Sequence, residues 1–154
     1  MKYSIIIPTL NEEKLLPNLL KQLCTNNLKE KYSFEIIISD GGSTDNTIEI
    51  AKEYADKIIR PNSDNHQNIS IGRNIGAKSA SGEILIFLNA DVEIADPVKF
   101  FESITETFSE KYLAMTCCVD IKEKNKNILD SLFMNFYNYY FHFLNLIGVG
   151  MGRG

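Results

Sequence analysis

Ile84-Leu85-Ile86-Phe87-Leu88 runs straight into Asn89-Ala90-Asp91-Val92-Glu93, and this junction decides how the chain is read. Five consecutive apolar residues predict a strand buried on both faces, as in the middle of a parallel sheet. Asp91 then stands just past the carboxyl end of that strand, the edge at which open α/β sheets bind ligands. A carboxylate there, with a second oxygen donor at Asn89, suits a hard divalent cation and the phosphates it carries. Taken alone, Asp91 reads better as a turn cap ahead of Pro97. The rest of the chain reverses that balance.

Upstream, strand and helix alternate. Tyr3–Ile7 is a short apolar run ended by Pro8. Leu15, Leu16, Leu19, Leu20 and Leu23 recur at helical spacing, which predicts a helix over about Glu12 to Thr25 with its apolar face inward. Pro17 suits the first position of its regular part, with Glu12–Leu16 as a looser turn. Phe34–Ser39 is a second strand, and a helix over about Thr47 to Tyr54 follows, capped by Asp45 or a neighbour. Lys57–Arg60 is a short strand stopped by Pro61, and Pro61–Asn68 is a polar loop. Ser70 is the expected cap of a helix running to about Ala80, which Ser81-Gly82 ends. Strand, helix, strand, helix in this order argues for an α/β fold, a mostly parallel Rossmann-like sheet flanked by helices. Val98–Phe108 reads as a further helix and Leu113–Val119 as a further strand.

The 154 residues make one domain or part of one, with an ordinary hydrophobic fraction of 44%. The net charge is −4 and Lys and Arg are scattered, so nucleic acid is not an expected partner. Cys24, Cys117 and Cys118 have neither a CxxC pattern nor a framework spacing, and are expected to be reduced, packed thiols of a cytoplasmic protein. The first residues enter a strand directly, without signal-peptide anatomy.

Three polar clusters follow three apolar strands. Pro8-Thr9-Leu10-Asn11-Glu12-Glu13 reads as a helix start or as one wall of a nucleoside pocket, lined by the Thr9 backbone and the Glu12 carboxylate. Ser39-Asp40-Gly41-Gly42-Ser43-Thr44-Asp45 places another carboxylate at a strand end, ahead of glycines that let backbone turn sharply or approach a ligand. It matches neither the dinucleotide fingerprint nor the phosphate loop. Asp40 is either the acceptor for a base N–H or ribose hydroxyl, or part of an Asp-Gly turn. In Ile71-Gly72-Arg73-Asn74-Ile75-Gly76, two glycines four apart allow close helix approach. Arg73 near the helix start favours an anion such as a diphosphate, or is a solvated arginine on a packed helix.

Together, Ile5-Ile6-Ile7-Pro8-Thr9-Leu10-Asn11-Glu12-Glu13, Ser39–Asp45, Arg73-Asn74-Ile75-Gly76 and Phe87-Leu88-Asn89-Ala90-Asp91 resemble the nucleotide-binding half of family 2 glycosyltransferases of the GT-A fold. The resemblance covers about Tyr3 to Glu93. It implies that Pro8, Thr9, Glu12 and Asp40 contact the nucleoside, that Gly42 and Ser43 shape the same wall, and that Arg73 lies by the diphosphate or base. Asn89 and Ala90 belong to the same donor site. Asp91 matches the last aspartate of the family's Asp-x-Asp motif, the ligand of Mn²⁺ or Mg²⁺ on a nucleotide-diphospho-sugar, most often a UDP-sugar. The implied reaction is inverting transfer to an acceptor hydroxyl on a glycan, lipid or small molecule. Two departures stand out. Asn89 replaces the motif's first aspartate, and no downstream catalytic base is recognisable, the candidates Glu123 and Asp130 lying in no known motif. A catalytically silent nucleotide-sugar-binding module is therefore the alternative.

The last segment differs from the rest. Leu129, Leu132, Phe133, Phe136, Tyr140, Phe143, Leu144 and Ile147 form one stripe, opposite Asn135, Asn138, His142 and Asn145. This predicts an amphipathic aromatic helix that packs on the sheet or on another copy, with peripheral membrane contact as the alternative. The domain boundary is expected near 120/121, with 121–154 forming this helix and the start of an acceptor-side region cut off in the glycine-rich stretch 148–154. The expected location is the cytoplasm, at the inner face of the membrane if the helix meets lipid.

Overall fold

The computed structural model describes residues 2–60, 68–108, 114–117 and 127–146. The chain divides into two units, Met1–Thr105 and Glu106–Gly154. In the first, the order is β1 (Tyr3–Thr9), α1 (Leu16–Leu23), α2 (Leu28–Tyr32), β2 (Phe34–Asp40), α3 (Thr47–Lys52), β3 (Lys57–Ile59), α4 (Ile69–Ser79), β4 (Ile84–Phe87) and α5 (Pro97–Thr107), whose last residues pass the division. The four strands form one all-parallel sheet in the order β3-β2-β1-β4. This is the α/β Rossmann-like sheet that the alternation predicts.

The two faces of the sheet are built differently. Tyr3, Ile5 and Ile7 of β1 and Phe34, Ile36 and Ile38 of β2 point to one face, in register. Leu16, Leu19, Leu20 and Leu23 of α1 and Phe101 of α5 cover them, all fully buried. Each such side chain contributes roughly 1.5–3 kcal/mol by leaving water. Phe101 stacks on Tyr32 and Phe34 at ring distances of 4.7 and 5.1 Å. On the other face α4 lies directly against the strands. A Cβ at Gly76 would collide with Ile6 Cγ2, and one at Gly72 would stand 3.3 Å from Pro8 Cβ. The two glycines four apart thus permit the close approach that their spacing predicts.

Several expectations change in detail. Pro17 does fall in the first turn of α1. α4 is capped by Asn68, whose Oδ1 accepts from Ile71 N–H at 2.8 Å, not by Ser70. β1 continues through Pro8 to Thr9. Pro8 is tolerated there because its missing N–H faces the β4 side, where pairing has already ended at Ile6–Phe87. α2 carries no periodic signal, and left-handed Asn27 and Ser33 bound it.

The largest correction falls on β4. It is an edge strand among the described residues, not a central one. Ile86 is buried, but Leu85 and Phe87 are 39% and 43% exposed. A continuous apolar run reports that both faces tolerate apolar side chains, and not how many strands and helices lie alongside. Cys24 and Cys117 are also exposed rather than packed.

Of the second unit, 114–117 forms no strand, and the remainder of the Leu113–Val119 expectation lies outside the described residues. So do the loop 61–67, Cys118, Glu123, the boundary at 120/121, Ile147 and 148–154. α6 (Ile128–Leu146) is the expected aromatic helix. Asn127 and Asp130 cap it reciprocally, Asp130 N–H donating to Asn127 Oδ1 at 2.8 Å and Asn127 N–H to Asp130 Oδ2 at 3.1 Å. Phe133 stacks on Tyr137 and Phe136 on Tyr140. Leu132, Phe133, Phe136 and Tyr139 are exposed. Among the described residues no helix is long and apolar enough to cross a membrane.

Candidate functional site

β1, β2 and β4 are parallel, so the segments that follow Thr9, Asp40 and Phe87 emerge at one edge of the sheet. That edge collects the Pro8–Glu13, Ser39–Asp45 and Asn89–Asp91 segments, and α4 brings Arg73 to the same place.

The β2 segment is folded around Asp40, which has no exposed surface. Its Oδ2 accepts from the N–H groups of Gly42 at 3.1 Å and Ser43 at 3.0 Å, and its Oδ1 from Ser43 Oγ and from Thr9 Oγ1 at 3.2 Å. These bonds engage about as many lone-pair sites as a carboxylate offers. Gly42 adopts a φ of 103°, which only glycine takes without strain, so the chain can turn its N–H groups onto Asp40. A ligand reaches this carboxylate only by exchanging one of these bonds, and the longest is to Thr9. Arg60 supplies the counter-charge, with Nε 3.5 Å from Asp40 Oδ2 and Nη2 donating to Ser43 O at 3.3 Å. Arg60 belongs to no motif. Its only sequence signal is its place at the carboxyl end of β3, on the same edge.

The β1 segment is zipped to the β2 segment by side chains that meet backbone. Asn11 N–H donates to Ser43 Oγ at 2.8 Å, Glu12 N–H to Thr47 Oγ1 at 2.8 Å and Glu13 N–H to Asp45 Oδ2 at 3.2 Å. In return, Asn11 Oδ1 accepts from Thr44 N–H at 2.9 Å, and Glu13 Oε2 from Asn46 N–H at 3.2 Å. Asn11 is left-handed, with φ 57°, a conformation that Asn tolerates better than most residues. The zipper leaves the Glu12 side chain beside a shallow concavity of about 380 Å³ lined by Asn11, Glu12, Glu13, Lys14, Leu15 and Asp45. Burial raises the Glu12 carboxyl above the usual range, and the negative charges of Asp91 and Asp45 raise it further. The field of Asp91 therefore reaches Glu12.

The β4 segment is more open. Asn89 C=O accepts from Val92 N–H at 3.4 Å, closing a turn in which Ala90 is buried, Asn89 half-buried and Asp91 exposed. Arg73 Nη2 donates to Asn89 Oδ1 at 2.8 Å. Arg73 Nε and, beneath Gly72, Ser39 Oγ are buried without a hydrogen-bond partner among the described residues. Asp130, by contrast, belongs to the cap of α6. Among the described residues no three acidic, histidine or cysteine side chains converge as a metal cage.

Such an edge, with a saturated carboxylate loop beside an Arg–Asn–Asp turn, has relatives. The model of glycosyl transferase family 2 matches residues 4–149. The chain belongs to this family. It is 42% identical over 95 residues to a 4,4'-diaponeurosporenoate glycosyltransferase of Staphylococcus haemolyticus, covering 59% of this chain and 24% of that one. It is 34% identical over 94 residues to the poly(ribitol-phosphate) β-N-acetylglucosaminyltransferase TarS of Staphylococcus aureus, covering 59% of this chain and 16% of TarS. The structure of residues 1–349 of TarS in complex with UDP-GlcNAc superposes with a TM-score of 0.60 at 29% identity, over 69% of this chain and 32% of that one. A mannosyltransferase from Pyrobaculum calidifontis, solved with GDP-Man and Mn²⁺, shares the fold at 20% identity and a TM-score of 0.60, over 78% of this chain and 36% of that one. The chain thus spans about a quarter or less of these two curated relatives.

Proposed function

We propose that this chain is the donor-binding part of a glycosyltransferase that takes a nucleotide-diphospho-sugar, with a UDP-sugar as the preferred donor. The carrying observation is the convergence of the Asp40 loop, the Glu12 segment and the Arg73–Asn89–Asp91 turn on one edge of a family 2 fold. TarS, solved with UDP and with UDP-GlcNAc, supports the choice of nucleotide. In this reading Pro8, Thr9, Asp40, Gly42 and Ser43 form the nucleoside wall. Thr9 gives up its bond to Asp40 so that the carboxylate can accept from the base or ribose. Arg60 stays beside the carboxylate meanwhile, its Nε 3.5 Å from Asp40 Oδ2. Glu12 lines the side nearest the concavity, and Arg73, Asn89 and Ala90 face the diphosphate.

The protein groups fit a metal ion that travels with its phosphates better than a resident one. Asp91 is the exposed carboxylate of the turn, and Asn89 Oδ1 is already committed to Arg73. Hard divalent ions at such sites are commonly held by one or two carboxylates, the substrate's phosphates and water. Asp91 would hold Mn²⁺ or Mg²⁺ in that way. When bound, the ion neutralises charge that develops on the departing nucleotide. Transfer is by in-line displacement: the acceptor hydroxyl oxygen bonds to the anomeric carbon, the bond to the diphosphate breaks, and the hydroxyl proton passes to a general base. No described residue is assigned as that base.

A silent nucleotide-sugar-binding module is the second reading, favoured by the amide at position 89 and by the use of Asp130 as a helix cap. Titration of the chain with UDP, GDP and CDP, each with and without Mn²⁺, tests what the two readings share. UDP is expected to bind most tightly, and more tightly with Mn²⁺. Failure of all three nucleotides to bind with Mn²⁺ present sinks both readings.

A further inference from the structure

Arg73 is held at this edge by a neutral partner. Its Nη2 donates to a neutral amide oxygen, Asn89 Oδ1, at 2.8 Å, and its Nε is buried without a partner. Among the described residues it makes no ion pair, whereas Arg60 on the same edge lies 3.5 Å from the Asp40 carboxylate. Asn89 therefore fixes the direction of the Arg73 side chain without cancelling its charge. A guanidinium positioned by a neutral partner keeps its remaining N–H donors and its full attraction for an anion.

We infer that Arg73 is a metal-independent anchor for the donor's diphosphate, and that Asn89 keeps it so by orienting it without neutralising it. The inference rests on the nucleotide-sugar reading and adds a property to it: part of the donor affinity survives removal of the divalent ion. Glu12, Asp45 and Asp91 place carboxylates close enough together at this edge to act on one another, so a divalent ion held by Asp91 would add affinity for a diphosphate. The balance between the two is set at position 89. A carboxylate there pairs with Arg73, weakens its pull on phosphate, and gives the ion a second oxygen ligand.

The test is calorimetric titration of the chain with UDP, GDP and CDP, in Mn²⁺ and in EDTA, on the wild type, Asn89→Asp and Arg73→Gln. Thermal melts check that each variant is folded. In the wild type, the nucleotide that binds in Mn²⁺ is expected to bind measurably in EDTA. N89D should weaken binding in EDTA about tenfold, on the scale of one charge-assisted contact, while binding in Mn²⁺ holds or tightens. R73Q should abolish binding in EDTA. Should R73Q fail to fold, N89D carries the test, because position 89 is only half-buried. Binding in Mn²⁺ that vanishes in EDTA for the wild type overturns the inference and leaves the donor reading intact. An EDTA affinity unchanged by N89D also overturns it. No binding in either buffer overturns the donor reading, and this inference with it.

Discussion

The segment after β2 and the segment after β4 leave the same sheet edge, yet they are built on opposite principles. The first turns its carboxylate inward: Asp40 is fully buried and its oxygens are taken by Gly42, Ser43 and Thr9. The second turns its carboxylate outward: Asp91 is exposed, and the turn around it is closed by one 3.4 Å backbone bond and one bond from Arg73. In the inward segment one carboxylate gathers several donors. The outward one leaves the Asp91 carboxylate at the surface. Two aspartates at matching strand ends thus do different physical work, one shaping backbone and the other presenting charge.

Breaking the inward side should have the largest effect. Asp40→Ala leaves the N–H groups of Gly42 and Ser43 unpaired and Arg60 without its carboxylate. A loss of about 3–5 kcal/mol is expected, the range for removing one partner from a buried charged network. Urea unfolding measures it, and a loss below about 1 kcal/mol would show that the loop does not depend on Asp40.

A second buried carboxylate, at the opposite end of the sheet, tests whether buried acids here stabilise only through their bonds. Glu35 is 3% exposed. Burial pushes its carboxyl up, but hydrogen bonds from Ser4 Oγ at 2.6 Å, Lys57 at 2.9 Å and Ser81 N–H at 2.6 Å outweigh it and hold the group at about 2. Because the folded value lies below the unfolded one, this stabilisation is full above about pH 4.5 and is lost as pH falls toward about 2. It amounts to about 3 kcal/mol at neutral pH. Glu35→Gln should flatten the fall in stability between pH 5 and pH 2, as read from melts across that range. An unchanged slope would place the acid sensitivity elsewhere.

The outward side should show the smallest effect on stability. Asp91→Ala is expected to change it by less than about 0.5 kcal/mol, as for an exposed side chain away from any network. It should nevertheless lower the Glu12 carboxyl toward its ordinary value, since Asp91 is one of the charges that raise it. An NMR titration of the Glu12 carboxyl follows that shift. A Glu12 that does not move would separate the two residues, and with them the two halves of the proposed donor site.

How much of this was legible beforehand depends on the kind of interaction. Tyr3–Ile7, Phe34–Ser39 and the leucines of α1 announce their elements because apolar periodicity is a local property of the chain. Parallel order follows from the alternation of strand and helix. The helical stripe at Leu129–Ile147 is legible for the same reason. Asn68 displaces Ser70 as the cap of α4 because several polar residues precede that helix, and only the path of the backbone selects one. The exposure of Leu85 and Phe87 was hidden because an apolar run looks the same in a central strand as at an edge. Arg60 and the zipper of Asn11, Glu13, Asp45 and Thr47 were invisible for a related reason. Their partners lie about 20 to 35 residues apart in the chain, and no spacing rule connects them.

Composition and local order were enough for the α/β class, the family resemblance and the short list of polar residues at the strand ends. What each of those residues faces was set by packing. Whether a carboxylate is saturated like Asp40 or open like Asp91, and whether an arginine meets a carboxylate like Arg60 or an amide like Arg73, depends on which segments fold to the same edge. Hydrogen bonds act over about 3 Å, and only the packed sheet brings such distant stretches of chain within that reach.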